Sequence, residues 1–201
     1  MVNLGKILNK KAVFIFAIIL ILGAGGFFLW QEREIKGSPD DYIIKEITDG
    51  KIVENKKAGL SVKVPEGWEV EKIEAEEGSV AFYFPNTEGE QRNEIVSPPL
   101  KNGCIIEISV VYKKMNFEEI EKEVRAIHWG LRIKSEEFEE VTVNNRSALK
   151  NTFDSGVLGS AIIVYIPSRN KLYDFDLYWA LDEKEKCIQE FDKFLETASI
   201  D

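Results

Sequence analysis

Two cysteines and one histidine are all that 201 residues offer for thiolate or imidazole chemistry. Cys104, His128 and Cys187 stand far apart in the chain, without the short ligand spacings of a zinc site, so no metal and no cofactor is expected. Cations are also scarce. With 26 Lys and Arg against 35 Asp and Glu, the net charge is -9, which argues against nucleic acid as a partner. No Gly-x-Ser-x-Gly elbow and no glycine-rich phosphate loop ending in lysine occurs; Gly159-Ser160-Ala161 and Asp154-Ser155-Gly156 read as ordinary turns. Internal repeats and low-complexity tracts are missing too. An enzyme working through a recognisable nucleophile or phosphate motif is thereby excluded.

What the chain does have is one long uncharged run, Ala12 to Trp30, preceded by Lys6, Lys10 and Lys11. In helical form it spans roughly 28 Å, close to the hydrocarbon core of a bilayer, whereas a signal-peptide core is about 7 to 15 residues. The lysines keep the N-terminal flank inside, so the rest of the chain is expected outside the cytoplasmic membrane, with Trp30 in the interfacial belt. Cleavage after Gly26 is the rival reading, and it exports the domain equally. No cysteine follows the run, so a lipid-modified terminus is not indicated. The expected organisation is a cytoplasmic N-terminus over 1–11, a transmembrane anchor over 12–30, a linker over 31–41 and one exported domain over 42–201.

Removing Lys6, Lys10 and Lys11 from a net charge of -9 leaves the exported part at -12. Such a surface repels anionic headgroups, so the domain is expected to stand clear of the bilayer or to meet a cationic partner; solubility alone also accounts for it. Cys104 shares an alternating stripe with Ile106, Ile108, Val110 and Tyr112, and Cys187 lies on a helical stripe with Phe191, Phe194 and Ala198. Both thiols point to buried faces. A bridge between them would stabilise by about 4 to 5 kcal/mol in the chain-entropy model, and two separate buried thiols are the alternative.

Strand signals dominate the exported part. Leu60, Val62 and Val64 alternate up to the turn Pro65-Glu66-Gly67, then Trp68 and Val70 resume; Val80, Phe82 and Phe84 follow. Pro85 to Gly103, with Pro98-Pro99, reads as a long loop and the first place to seek a binding edge. Asn116 and Glu119 form a capping box for a helix carrying Phe117, Ile120, Val124, Ile127 and Leu131, with Gly130 at its end. Asn144-Asn145 marks a turn, a hairpin is expected around Pro167 to Asn170, and Asp182 with Glu185 is expected to open a final helix over Ile188, Phe191, Phe194 and Leu195. The fold class is α+β, an antiparallel sheet flanked by helices.

The stretch Gly59-Leu60-Ser61-Val62-Lys63-Val64-Pro65-Glu66-Gly67-Trp68, a strand running into Pro-x-Gly-Trp, resembles the opening of PsbP-like domains. The later order, a central amphipathic helix, a run of strands and a terminal helix over Cys187 to Ser199, is similar to that family as well. The resemblance implies a helix-flanked antiparallel sheet, an α/β/α sandwich, and a non-catalytic role in assemblies outside a membrane. No ligand residue of the photosynthetic members is matched, so the photosynthetic role is not carried over.

Among side chains, Asp174 and Asp176 share one face of a strand and could hold a cation or act as paired carboxylates, although alternating acids usually mark a solvated face. Glu74, Glu76, Glu77, Glu136, Glu137, Glu139 and Glu140 read as solvent-facing charge, and His128 as a histidine packed at a helix edge. Asn145-Arg146-Ser147 matches a glycosylation sequon, a frequent chance pattern. The function expected is a non-catalytic, membrane-anchored module binding an envelope or surface protein through Asp174, Asp176 and the loop bearing Arg92, Glu94, Pro98 and Pro99. The alternatives are a carboxylate-dependent hydrolase using Asp174 and Asp176, and a pilin-like subunit. Against the latter, Lys10 to Phe16 lacks the processing glycine and glutamate.

Overall fold

The structure, a computed structural model, describes residues 35–73, 78–92, 95–129, 133–155 and 159–201. The expected membrane span at 12–30 lies outside the described residues; among those described, no helix is long and apolar enough to cross a membrane.

The fold begins at β1 (Ile35–Lys36), earlier than the expected boundary at 42, and a 3-10 turn over Pro39–Asp41 follows. Residues 35–41 therefore belong to the domain rather than to the linker. Ser38 fixes that turn by donating its N–H to the Asp41 carboxylate at 3.0 Å. Next come β2 (Tyr42–Ile47) and β3 (Gly50–Asn55), an antiparallel hairpin, then β4 (Leu60–Lys63), β5 (Glu69–Ile73) and β6 (Ser79–Tyr83). The segment read as a long loop contains a second hairpin, β7 (Glu88–Arg92) and β8 (Ile95–Asn102). Its base is closed by the Thr87 hydroxyl, which donates to Phe84 O at 2.6 Å and Cys104 O at 3.0 Å. Gly103 sits at φ 78° against Thr87, where an added Cβ would lie 2.4 Å from Oγ1. Alternation of apolar side chains did not announce this hairpin, whose strands pair only with each other and not with the main sheet.

After β9 (Cys104–Tyr112), helix α1 (Phe117–His128) opens with Asn116 and Glu119 bonded reciprocally, at 2.9 and 2.8 Å. Then β10 (Ile133–Val143), β11 (Arg146–Ser155), β12 (Gly159–Ser168) and β13 (Lys171–Trp179) run as a meander. Asn144 and Asn145 take φ of 47° and 64°, the double left-handed geometry that a two-residue hairpin turn demands. Asp182 does not cap the final helix. It falls inside a 3-10 turn, Leu181–Glu183, closed from Glu183 N to Ala180 O, and α2 (Lys184–Thr197) starts after it without a side-chain cap. A short strand, β14 (Ser199–Ile200), ends the fold.

The main sheet is antiparallel throughout, in the order β10-β11-β12-β13-β9-β6-β5. One edge of β9 carries β13; the other is shared by β6, at Ile105 to Ile108, and β1, at Val111 and Tyr112. A smaller antiparallel sheet runs β14-β4-β3-β2. Strand alternation sends Ile106, Ile108, Phe175 and Leu177 to one face, where they meet Phe191 and Phe194 of α2 and Val53 and Val62 of the small sheet. The opposite face packs Leu149, Phe153 and Ile163 against Ile120 and Val124 of α1. Each such aliphatic or aromatic side chain, once buried, contributes roughly 1.5 to 3 kcal/mol. The structure joins Cys104 to Cys187 across the first core, with Cα atoms 5.9 Å apart at a sequence separation of 83.

Candidate functional site

Period-two alternation along β9 and β13 decides which side chains share the α1 side of the main sheet. On β13 these are Leu172, Asp174, Asp176 and Tyr178; the register sets Asp174 opposite Ser109 and Asp176 opposite Glu107. On the other flank Asp174 faces Tyr165 and Asp176 faces Ile163. Three carboxylates and two phenols thus converge on neighbouring strands. Asp174 and Asp176 are half-buried, which corrects the solvated-face expectation: Tyr165 and Ile163 are themselves buried beside them.

The Ser109 hydroxyl donates to Asp174 Oδ2 at 3.4 Å, and the Tyr178 hydroxyl approaches Asp176 Oδ2 at 3.5 Å. Burial pushes the Tyr165 and Tyr178 phenols well up, and nearby charge pushes further in the same direction, from Asp174 and Asp176 on Tyr165 and from Asp176 and Glu107 on Tyr178. Both phenols therefore stay protonated as donors. Glu107 is half-buried, and loss of solvation raises its carboxyl to about 7. Sequence reasoning missed Glu107. Its signal was present, a lone acid inside an apolar alternation, but its pairing with Asp176 depends on a long-range register. Among the described residues no three His, Cys, Asp or Glu side chains form a set able to hold a metal ion. Chemically, the cluster offers the Glu107 carboxyl, raised to about 7 by burial, beside the carboxyl groups of Asp174 and Asp176 and two neutral phenols.

The other candidate positions are dispersed. Arg92 ends β7, and Glu94 lies outside the described residues. Pro98 is buried within β8 and Pro99 is exposed, so only the second offers a contact surface. Leu100 packs with Ala81, Tyr83 and Ile105, which seats the β7–β8 hairpin on the same side of the main sheet as the carboxylates. His128 is elsewhere: buried, with its ring tilted against Phe153 at 4.4 Å between centroids and Nδ1 2.6 Å from a Glu136 oxygen. Glu136 also takes Arg125 at 2.6 Å and is 12% exposed, so it is a packed partner of α1 rather than solvent-facing charge. Glu74, Glu76 and Glu77 lie outside the described residues.

The Pro65-Glu66-Gly67-Trp68 turn borders a groove of about 680 Å³ between the small sheet and α2, lined also by Lys51, Lys63 and Lys193. Trp68 itself is buried, edge-on to Phe84 at 5.3 Å, and Lys186 stands 4.0 Å over the Phe84 ring. The signature thus builds a wall rather than a ligand contact.

Among the described residues, antiparallel sheets with two α-helices make this an α+β protein. No family model matches the chain, and no curated protein matches it either. Among solved structures it is similar to cyanobacterial PsbP from Synechocystis, at 11% identity and a TM-score of 0.48, covering 75% of this chain and 91% of that one. It is also similar to a protein of unknown function from Pseudomonas aeruginosa, at 9% identity and a TM-score of 0.41, covering 80% of this chain and 96% of that one.

Proposed function

We propose that this chain is a single-pass, membrane-anchored protein whose extracytoplasmic domain, a non-photosynthetic module of the PsbP-like kind, binds another envelope protein without catalysis. The observation that carries the reading is the Cys104–Cys187 bridge. Both sulfurs are fully buried and the bridge ties the central strand to the last helix, an arrangement suited to an oxidising, exported compartment. The uncharged run from Ala12 to Trp30, with lysines before it, supplies the anchor. The Pro-x-Gly-Trp turn and the element order support the PsbP-like assignment. In support of a binding role, Ser109 is the one serine, cysteine or histidine that the strand register sets beside the carboxylates among the described residues, and its 3.4 Å contact to Asp174 is long.

The test uses a membrane-impermeant lysine crosslinker on intact source cells, followed by mass spectrometry. Links from lysines after residue 36 to one envelope protein are the expected result. Unmodified lysines, beside labelled exported proteins, would reverse the topology; labelled lysines without links would remove the partner.

One observation favours a second reading, a carboxylate-dependent hydrolase. Glu107, with its carboxyl near 7, faces Asp176, the pairing of a proton donor with a carboxylate that acid–base hydrolysis uses. Hydrolysis of an ester or glycoside panel that disappears in Glu107→Gln and Asp176→Asn would select it over the binding module.

A further inference from the structure

The acidic charge of the domain is not spread evenly. At the end of the main sheet where the described chain begins, Ile35 pairs with Tyr112, the last residue of β9. Lys113 and Lys114 follow directly. The β12–β13 turn, with Arg169 and Lys171, lies at the same end, because Ser168 pairs with Lys171 and Leu172 with Val111. So does the β3–β4 turn: Lys57 sits 4.8 Å over the Tyr112 ring, and Lys171 Nζ donates to Ala58 O at 2.7 Å. Arg146 joins them through Ser168 Oγ at 3.4 Å. Seven cations, Lys56, Lys57, Lys113, Lys114, Arg146, Arg169 and Lys171, thus cluster in a domain that is strongly acidic as a whole.

Of the acids nearby, Asp41 pairs with Lys57 at 3.1 Å, Glu123 with Lys113 at 2.6 Å, and Glu119 is held in the α1 capping box; Asp40, Glu118 and Asp201 remain, against seven cations. Lys56, Lys114 and Arg169 are exposed and make no ion pair among the described residues. At the opposite end of the sheet the start of α2 presents Asp182, Glu183 and Glu185 against Lys184 and Lys186.

The covalent tether adds direction. Five peptide steps separate Trp30, the last residue of the expected span, from Ile35, and fully extended they reach about 18 Å. The basic end therefore cannot travel far from the headgroups. We infer that this end of the domain, through Lys56, Lys114 and Arg169 above all, docks on the anionic phospholipid surface of the membrane that anchors it. The inference rests on the anchored reading above. It replaces the expectation that an acidic domain stands clear of the bilayer: the whole-domain charge acts at long range and is screened within a Debye length, whereas the contact is local.

The full chain is reconstituted into nanodiscs of phosphatidylcholine alone or of phosphatidylcholine with phosphatidylglycerol, then acetylated and mapped by mass spectrometry. Lys184, exposed at the far end, is the internal reference. Acetylation of Lys56 and Lys114 should slow by about fivefold relative to Lys184 in the anionic discs only, and molar salt should abolish the difference. Equal rates in both discs overturn the inference. Lys56→Gln, Lys114→Gln and Arg169→Gln combined should erase the lipid-dependent protection at Lys57, without a change in melting temperature. Protection that persists in that variant overturns the residue assignment. A chain that fails to enter discs at all overturns the anchor instead. Equal rates in discs, with crosslinks from Lys56 or Lys114 to an acidic protein in cells, overturn the lipid in favour of a protein partner.

Discussion

Glu107 and Asp176 stand directly opposite each other across the β9–β13 ladder. Two carboxylates so placed disfavour each other's charge, and burial alone raises Glu107 from its ordinary 4.5 to about 7. Between those values the folded state keeps a proton that the unfolded chain has released. Stability contributed here is therefore full below about pH 4.5, declines as pH rises, and levels off above about 7. Glu107→Gln stays neutral throughout. It should match the parent at the acidic limit and exceed it by roughly 3 kcal/mol near pH 8, in urea unfolding at both pH values. An unchanged pH slope in the variant would sink this account.

Removing the bridge between Cys104 and Cys187 frees a loop of 83 residues' separation. In the chain-entropy model the double substitution to alanine should cost about 4 to 5 kcal/mol. The comparison of chemical unfolding with and without reductant checks it, since reductant should affect the parent and leave the variant alone.

Asn144 does two separable things. Its backbone adopts φ 47°, and its side chain donates to Leu195 O at 2.8 Å and Ala198 O at 2.7 Å, satisfying carbonyls at the end of α2. Asn144→Gly keeps the first and loses the second, so it should cost about 1 to 2 kcal/mol. Asn144→Ala loses both and should cost about 1 kcal/mol more. Equal thermal shifts for the two variants would remove the backbone contribution from the explanation.

At the start of α1, Asn116 and Glu119 each satisfy the other's backbone N–H. Either alanine substitution should lower stability by about 1 kcal/mol, and the double variant should fall short of the sum because the pair acts as one cap. Strict additivity in a double-mutant cycle would show two independent bonds.

Local signals were the readable part of this chain. The capping box at Asn116, the Asn144-Asn145 turn and the hairpin around Pro167 to Asn170 all follow from a few adjacent residues, and the elements appear where those signals stand. The hairpin of β2 and β3 went unread because Ile43, Lys45, Glu46 and Lys51 blur the alternation; its strands lie in the small sheet with one side largely in water. Asp174 and Asp176 could be put on one face from spacing, but Glu107 belongs to another strand and meets them only through the β9–β13 register. Glu136 looked like one more acid in a charged run until α1 brought Arg125 and His128 onto it. What stayed hidden in each case was a pairing between segments distant in sequence, which no local period encodes.

The interior position of β9 in the main sheet sets an order of assembly. Its neighbour β6 precedes it closely, but its full-length partner β13 is made only after α1 and three further strands. A chain emerging N-terminus first must therefore hold an apolar central strand with one side unoccupied for much of its delivery. Contacts of such long sequence separation form slowly. The domain would then complete its sheet only once β13 has been made rather than segment by segment, which makes the half-made chain a natural client for a holding chaperone.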